Sequence, residues 1–318
     1  MTRRSQRSTH RSRQSAAASS TVHADSTPLV DSPVQHSSVQ HSSVQHSSVQ
    51  HSSVTATTTL TPPRVFFRYL WADFVRTLRM WRTTVFVLFL PVVLFLMFGL
   101  MDGMKTDYSA GHGNGTAYVM VSMAIYAAAT ATTSVSGATA IEISSGWGRQ
   151  LSLTALRTPG YFIAKICSAV LITVLPIGLL FIVGAACGAD LIGAGCWAGT
   201  FFLCLLVALP FSLYGLGTAL LLRNEAANGM AISLLSVMAF FGNLFAPLQG
   251  VLLKISRFTP LYGAATLARW PLNEGVFHFY DGSAVTTENI WWAIGNIVAW
   301  TAIFAIMCVF GARRRNDK

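Results

Sequence analysis

Histidine and cysteine are the side chains here best suited to metal binding or nucleophilic chemistry, and the chain has eight of the first and five of the second. His36, His41, His46 and His51 recur every five residues, inside four tandem copies of QHSSV between Gln35 and Val54. Such a tract suits either weak metal binding or a repeat-expanded linker, and its composition favours the linker. Cys167, Cys187, Cys196, Cys204 and Cys308 form no CxxC and no Cys/His pair at zinc spacing. All five lie in or beside apolar runs, where cysteine behaves as a small hydrophobe. Cys187 and Cys196 flank one short loop, so a disulfide competes there with two free packing thiols, and free thiols are the expectation. His112 in GHGNG and His278 have no partner motif and read as surface histidines. HExxH, GxSxG and Walker A motifs are absent from the sequence. The expected catalytic, cofactor and metal residues are therefore none, and the chain carries neither a catalyst nor an energy source of its own.

Composition points to the solvent of this chain. It is 53% hydrophobic and 11% charged, and its mean hydropathy is +0.51. Soluble domains carry about 25% charged residues, so much of this surface must face lipid. The net charge of +10 raises nucleic acid as a partner. The basic residues, however, sit in a tail, a pre-helix segment, short loops and the C-terminus, with no basic-aromatic stripe to track a phosphate backbone. No nucleic acid is expected.

Residues 1–62 are rich in Ser, Thr, Gln and His and nearly free of aromatics. One Val per five residues buries almost nothing, so this segment reads as a disordered tail. No apolar run precedes residue 83, which argues against a secretory signal. Residues 63–318 read as the membrane domain.

A helix needs about 20 apolar residues to cross a bilayer. Six stretches qualify: 83–101, 116–141, 162–187, 196–222, 229–248 and 290–310. With the N-terminus inside, the ordered cytoplasmic segments hold thirteen Lys and Arg and the outer loops four. The positive-inside rule then places both termini in the cytoplasm, in a multi-pass protein of the inner or plasma membrane. Pro91, Pro176 and Pro210 fall within spans and predict kinks. The span centres lack Asp, Glu, Lys, Arg and His, which argues against a proton-coupled carrier.

Three segments outside the spans carry more information. In 64–82, apolar residues from Phe67 to Trp81 recur at spacings of three and four, with Arg68, Arg76 and Arg79 mainly opposite. This predicts an amphipathic helix lying in the membrane interface. The loop after Glu142 is about twenty residues long. Gly146 and Gly148 break the preceding helix, 150–156 forms a short helix, and Thr158-Pro159 restarts the chain. A short helix held off the membrane surface is something a partner can push; the alternative is a connector lying flat on the headgroups. The third segment, 246–272, is apolar but divided by Pro247, Pro260 and Pro271. It predicts a re-entrant, broken hairpin on the outer side, because non-helical backbone survives at membrane depth only when covered. A seventh span over 251–270 would move the C-terminus outside, against the Arg313–Arg315 cluster.

These segments, in this order, resemble the membrane subunit of ABC type-2 transporter permeases. The likeness covers 63–315. The family's first-loop pattern corresponds to Glu142, Gly146, Arg149, Leu151, Thr154, Tyr161 and Lys165, with Gln150 and Pro159 completing the loop. Its later pattern corresponds to Pro247, Pro260-Leu261-Tyr262 and Arg269. Thr154 is followed by Ala155 where the family often has Pro, while a Thr-Pro occurs at Thr158-Pro159. The resemblance implies an all-α polytopic membrane protein with an N-terminal interfacial helix, six transmembrane helices and a re-entrant outer hairpin before the last. It implies a homodimer or a heterodimer with a similar permease, surrounded by membrane lipid. It also implies an ABC ATPase subunit that binds the ATP and pushes the 150–156 coupling helix. The expected function is export of an amphiphilic or lipophilic cargo (a drug, lipid or peptide), as in multidrug efflux. The alternative is a membrane sensor or immunity protein that binds a toxin or lipid without transporting it.

Overall fold

The computed structural model describes residues 63–79, 81–101, 111–144, 158–222, 224, 226–245, 248, 250–277 and 286–316. The repeat tail lies outside them. The described residues are helical: α1 (Pro63–Arg79), α2 (Trp81–Gly99), α3 (Gly115–Gly137), α4 (Thr139–Ser144), α5 (Thr158–Cys187), α6 (Gly193–Leu222), α7 (Ala226–Phe241), α8 (Gly250–Ser256), α9 (Pro260–Asn273) and α10 (Ile290–Asn316). The exception is a two-residue antiparallel ladder, β1 (Val276–Phe277) with β2 (Thr286–Thr287).

Of the four membrane-length stretches among the described residues, the least apolar, in α3, is the most buried. Every residue of α3 but Ser134 is buried. Its sequence is mostly Ala, Thr, Ser and Gly, so neighbouring backbones approach closely. Its hydroxyls bond back along their own helix: Ser122 to the Tyr118 carbonyl at 2.7 Å, Thr130 to Tyr126 at 2.8 Å and Thr132 to Ala128 at 2.8 Å. Those bonds satisfy polar groups that would otherwise be costly to bury. Gly184 of α5 and Gly215 of α6 mark close approaches to α3. A Cβ at Gly184 would sit 2.2 Å from Met120 Sδ, and one at Gly215 2.5 Å from the Thr133 carbonyl oxygen.

The more apolar helices wrap around α3 and turn large side chains outward, among them Ile163 and Ile182 of α5, Phe202 and Leu206 of α6, and Val298 and Phe310 of α10. In water such a surface would aggregate; in a bilayer it faces solvent of its own kind. Among the described residues, four helical stretches are long and apolar enough to cross a membrane: Gly115–Gly137, Gly160–Cys187, Gly193–Leu222 and Ile290–Arg313. Phe89–Gly99 and Ala226–Phe241 are shorter apolar stretches. Pro91, Pro176 and Pro210 lie inside α2, α5 and α6.

Contacts sort the helix ends into two groups. At one end, Asn114 caps α3 through its Oδ1, which accepts from the Ala117 and Asp190 N–H at 2.9 and 3.1 Å, while its Nδ2 donates to the Gly188 carbonyl at 2.8 Å. His112 N–H donates to the Leu272 carbonyl at 2.7 Å, joining α9 to the same end, and Thr116 Oγ1 donates to Gly99 at the end of α2. At the opposite end, Gly137 meets Asn228, Gly217 meets Met307 and Gly311 meets Leu220. Helices α2, α3, α5, α6, α7 and α10 all run between these two ends.

Several boundaries differ from the sequence expectation. The second stretch breaks at Ala138 into α3 and α4. The fifth ends at Phe241 rather than 248, because Asn243 takes φ 59°. There its Oδ1 accepts from the Leu248 N–H at 2.8 Å, closing a turn. The 246–272 segment forms two short helices, α8 and α9, with a turn at 257–259 between them. Pro260 opens α9, where its missing N–H and fixed φ suit a first helical turn. The five cysteines are free.

Candidate functional site

Helix α1 packs against α5, but not with the side that its apolar spacing suggests. Phe67 and Trp71 point away from the protein, whereas Asp73 and Thr77 are buried. The inward stripe is thus partly polar and the outward one aromatic, the inverse of a helix on a water-soluble domain.

Asp73 is turned inward to meet a cation. Lys165, on the second turn of α5 and 2% exposed, places its Nζ 3.1 Å from Asp73 Oδ1 and 2.8 Å from Glu142 Oε1. Glu142, from α4, also accepts from Arg76 Nη2 at 3.1 Å and from the Tyr161 hydroxyl, whose oxygen is 2.5 Å from Oε2. Two carboxylates and two cations make this cluster formally neutral. That balance matters, since a buried charge is tolerable only when paired and hydrogen-bonded. Thr77 Oγ1 donates to the Asp73 carbonyl at 2.8 Å. The Tyr69 ring stacks edge-on to Tyr161 with centroids 5.9 Å apart. Burial lifts the Tyr69 phenol well above its ordinary range; the Asp73 and Glu142 charges add to this and Arg76 opposes it. Tyr69 therefore stays protonated at neutral pH, and its buried hydroxyl makes no hydrogen bond to a described residue.

The cluster joins the described residues on either side of 145–157. Glu142 lies just before the loop and Tyr161 and Lys165 just after it, so the two ends are pinned to each other and to α1. Gly146, Arg149, Gln150, Leu151 and Thr154 lie outside the described residues, and Pro159 is placed only as part of α5. Of the expected loop residues, then, the structure joins Glu142 with Tyr161 and Lys165. It adds Asp73, Arg76 and Tyr69, which pattern reading had not singled out as site residues. The available signal was Asp73, a lone acid in a segment with five arginines.

A second polar centre lies toward the opposite end. Arg269 of α9 is 0% exposed, with its Cζ 4.4 Å from the centroid of the Tyr118 ring. Nη1 donates to the Tyr118 hydroxyl and Nη2 to the Asn243 carbonyl, the latter at 2.8 Å. Arg269, expected in an outer segment, is a buried tie between α3, α9 and the turn after α7. Tyr262 is buried beside it in α9 and Pro260 starts that helix, while Pro247 lies outside the described residues. His112 Nε2 lies 3.0 Å from Glu274 Oε1 on an exposed surface, and His278 lies outside the described residues. Among the described residues, no group of three or more His, Cys, Asp or Glu could hold a metal.

Residues 64–270 match the family model described as ABC-2 type transporter. A search of curated proteins finds no match. The match covers α1 to α9 and well over half of the chain, and the chain therefore belongs to the ABC-2 type transporter family as a membrane component of a transporter.

Proposed function

We propose that this chain is the permease subunit of an ATP-driven exporter, with ATP hydrolysed on a separate ABC ATPase subunit. The observation that supports this is the ionic cluster at the mouths of the 145–157 loop. A loop whose ends are free absorbs a push by deforming; one whose ends are tied by Lys165–Glu142 and Tyr161–Glu142 passes it to α3, α4 and α5 as a unit. Asp73 and Arg76 extend that unit to α1. ATP-driven closure of two ATPase subunits would press the 150–156 helices and rock the spans of a homodimer or heterodimer, a rigid-body gating movement.

The six helices that run between the two ends are the six crossings. Helix α7 has 16 residues, about 24 Å at ~1.5 Å per residue, and its turn at 242–245 extends it toward the ~30 Å of the hydrocarbon core. The end holding Lys165, Arg76 and Arg313 is cytoplasmic by its positive charge, in the plasma membrane, with both termini inside. Helix α1 lies in the interface with Phe67 and Trp71 toward lipid, and α8 with α9 forms the re-entrant pair on the outer side. The cargo is amphiphilic or lipophilic, because the span centres lack Asp, Glu, Lys, Arg and His and a route between them is apolar.

The test is co-purification of an ABC ATPase with the native chain and with the Arg149→Glu/Leu151→Asp double variant in detergent or nanodiscs. Capture by the native chain and loss in the variant are expected. Failure of the native chain to hold any ATPase under membrane-like conditions would sink the exporter reading.

A further inference from the structure

Where the turn between α8 and α9 meets the start of α10, a groove of about 290 Å³ opens on the outer surface of the bundle. Its walls are Phe258, Trp291, Trp292 and Trp300; Gly295 forms part of its floor and Arg257 stands at its rim. The residues on α10 lie beyond the 64–270 family match.

Three donors of the lining, those of Trp292, Asn296 and Trp300, are already committed. Trp292 Nε1 and Asn296 Nδ2 both donate to the Arg257 carbonyl, at 3.3 and 2.8 Å, and Trp300 Nε1 donates to the Phe258 carbonyl at 2.9 Å. Trp300 reaches that carbonyl because helical side chains lean toward the N-terminus. The bonds turn the indole N–H groups and the loop carbonyls toward each other and leave ring surface lining the groove. Phe258 and Trp292 brace the wall edge to face, 6.0 Å between centroids.

The rim differs from the walls. The Arg257 side chain is 38% exposed, and its ion-pair partner among the described residues is Glu288 Oε1 at 3.9 Å, beyond hydrogen-bond range. A guanidinium has five N–H donors, so donors remain for an incoming acceptor. Glu288 itself is buried, and burial lifts its carboxyl to about 7 against the lowering pull of Arg257. The rim therefore offers positive charge and donors, while the carbonyls that would attract a cation are occupied. An aromatic cage for a quaternary ammonium would need the opposite rim.

Height completes the picture. From Trp291 to Trp300 is about 13 Å of helix axis at ~1.5 Å per residue. The apolar stretch Ile290–Arg313 ends at the basic cluster of the other face. Arg257 and Trp291 thus sit at headgroup level, where tryptophan belts lie, and the groove descends from there into acyl depth. A charged top over an apolar trough matches one molecule already present in the membrane.

We propose that this groove is a binding site for one phospholipid, its phosphate on Arg257 and one acyl chain against Trp291, Trp300 and Gly295. The site is separate from the ionic cluster and rests only on membrane insertion of the chain, not on ATP-driven transport.

Gly295 supplies the test, because a Cβ built there meets nothing within 4 Å. Gly295→Leu fills the trough without a clash. The purified chain is incubated in detergent with equimolar dioleoyl-phosphatidylglycerol and, separately, with dioleoylglycerol, which lacks the phosphate; retained lipid is counted by native mass spectrometry. The native chain is expected to keep the phospholipid about tenfold better than the diacylglycerol, the scale of one hydrogen-bonded charge. Arg257→Gln should bring the two to the same level, and Gly295→Leu should lower retention of both. Equal retention of the two lipids by the native chain overturns the proposal, as does unchanged phospholipid retention in Arg257→Gln. Dissociation of a dimer by Gly295→Leu with retention unchanged would assign the groove to a second copy instead. If Gly295→Leu fails to fold, the lipid pair and Arg257→Gln decide alone.

Discussion

Lys165 Nζ lies 2.8 Å from Glu142 Oε1 across a buried joint between α5 and α4, and the same nitrogen reaches Asp73 of α1 at 3.1 Å. One cation therefore holds three helices, one of them 92 residues away in sequence. Its removal leaves two buried carboxylates with Arg76, itself half exposed, as the remaining cation of the cluster. Lys165→Met is expected to destabilise the folded chain by about 3–5 kcal/mol, the usual effect of breaking a buried ion pair from one side. Lys165→Met combined with Asp73→Asn should recover part of the loss. Chemical denaturation in mild detergent measures both. A single variant as stable as the native chain would show that the joint is not buried as described.

Tyr161→Phe removes a single donor from Glu142 and leaves the ion pairs in place. A hydrogen bond to a charged group contributes about 1.5–3 kcal/mol, so the loss should be smaller than for Lys165→Met. If the loop transmits a push through this bond, ATPase stimulation by cargo should weaken while ATPase capture persists. A loss of capture equal to that of the loop double variant would place Tyr161 in the docking surface instead.

Arg269 makes two directed contacts from one planar group, to the Tyr118 hydroxyl and the Asn243 carbonyl. Lysine carries the same charge but has a compact head and no fork. Arg269→Lys is therefore expected to lower the unfolding free energy, read by chemical denaturation, by roughly 1–3 kcal/mol for the group left without its partner. Arg269→Met should differ in kind: it removes the buried charge together with the bonds. A lysine variant indistinguishable from native would mean that charge alone matters at this position.

Gly215 lies against the α3 backbone, where a Cβ would meet Ser136 Oγ at 2.4 Å and the Thr133 carbonyl oxygen at 2.5 Å. Ser136 can rotate, but the Thr133 carbonyl is held within its helix. Gly215→Ala should push α6 from α3 and cost about 1–3 kcal/mol by overpacking. Gly295→Ala, at an open position, should be close to neutral in the same assay. Equal effects at the two glycines would contradict the close approach of α3 and α6.

Glu288 gives stability a pH dependence. Burial raises its carboxyl from 4.5 to about 7, with Arg257 opposing the shift. The folded state then binds the proton more tightly than the unfolded chain does. Stability from this group is therefore full below about 4.5 and declines as pH rises through about 7. Glu288→Gln should flatten the thermal midpoint across that window; a slope unchanged in the variant would assign the dependence to other groups.

Much of this protein was legible one segment at a time. The apolar runs, the prolines within them, the amphipathic segment before the first run and the break at Pro260 act through neighbouring residues or bilayer thickness. Length and composition suffice to read most of them. The resemblance to type-2 permeases rested on the order of those segments, and the family match over 64–270 agrees with it.

Facing and pairing were decided by the tertiary structure. The apolar spacing of α1 reads as a face that could be turned either way, and only the Lys165 and Glu142 charges reveal that Asp73 points inward. The same holds for α3, whose Thr and Ser content looks like the least membrane-embedded of the long helices. It becomes the most buried because its hydroxyls bond to its own carbonyls and its small side chains admit α5 and α6. Arg269 reads as an outer-segment charge until Tyr118 and Asn243, each more than twenty residues away, close around it. A pattern with a period of three or four residues records which side of a helix is alike. It does not record which side meets a partner, because the partner's charge, size and hydrogen bonds come from elsewhere in the chain.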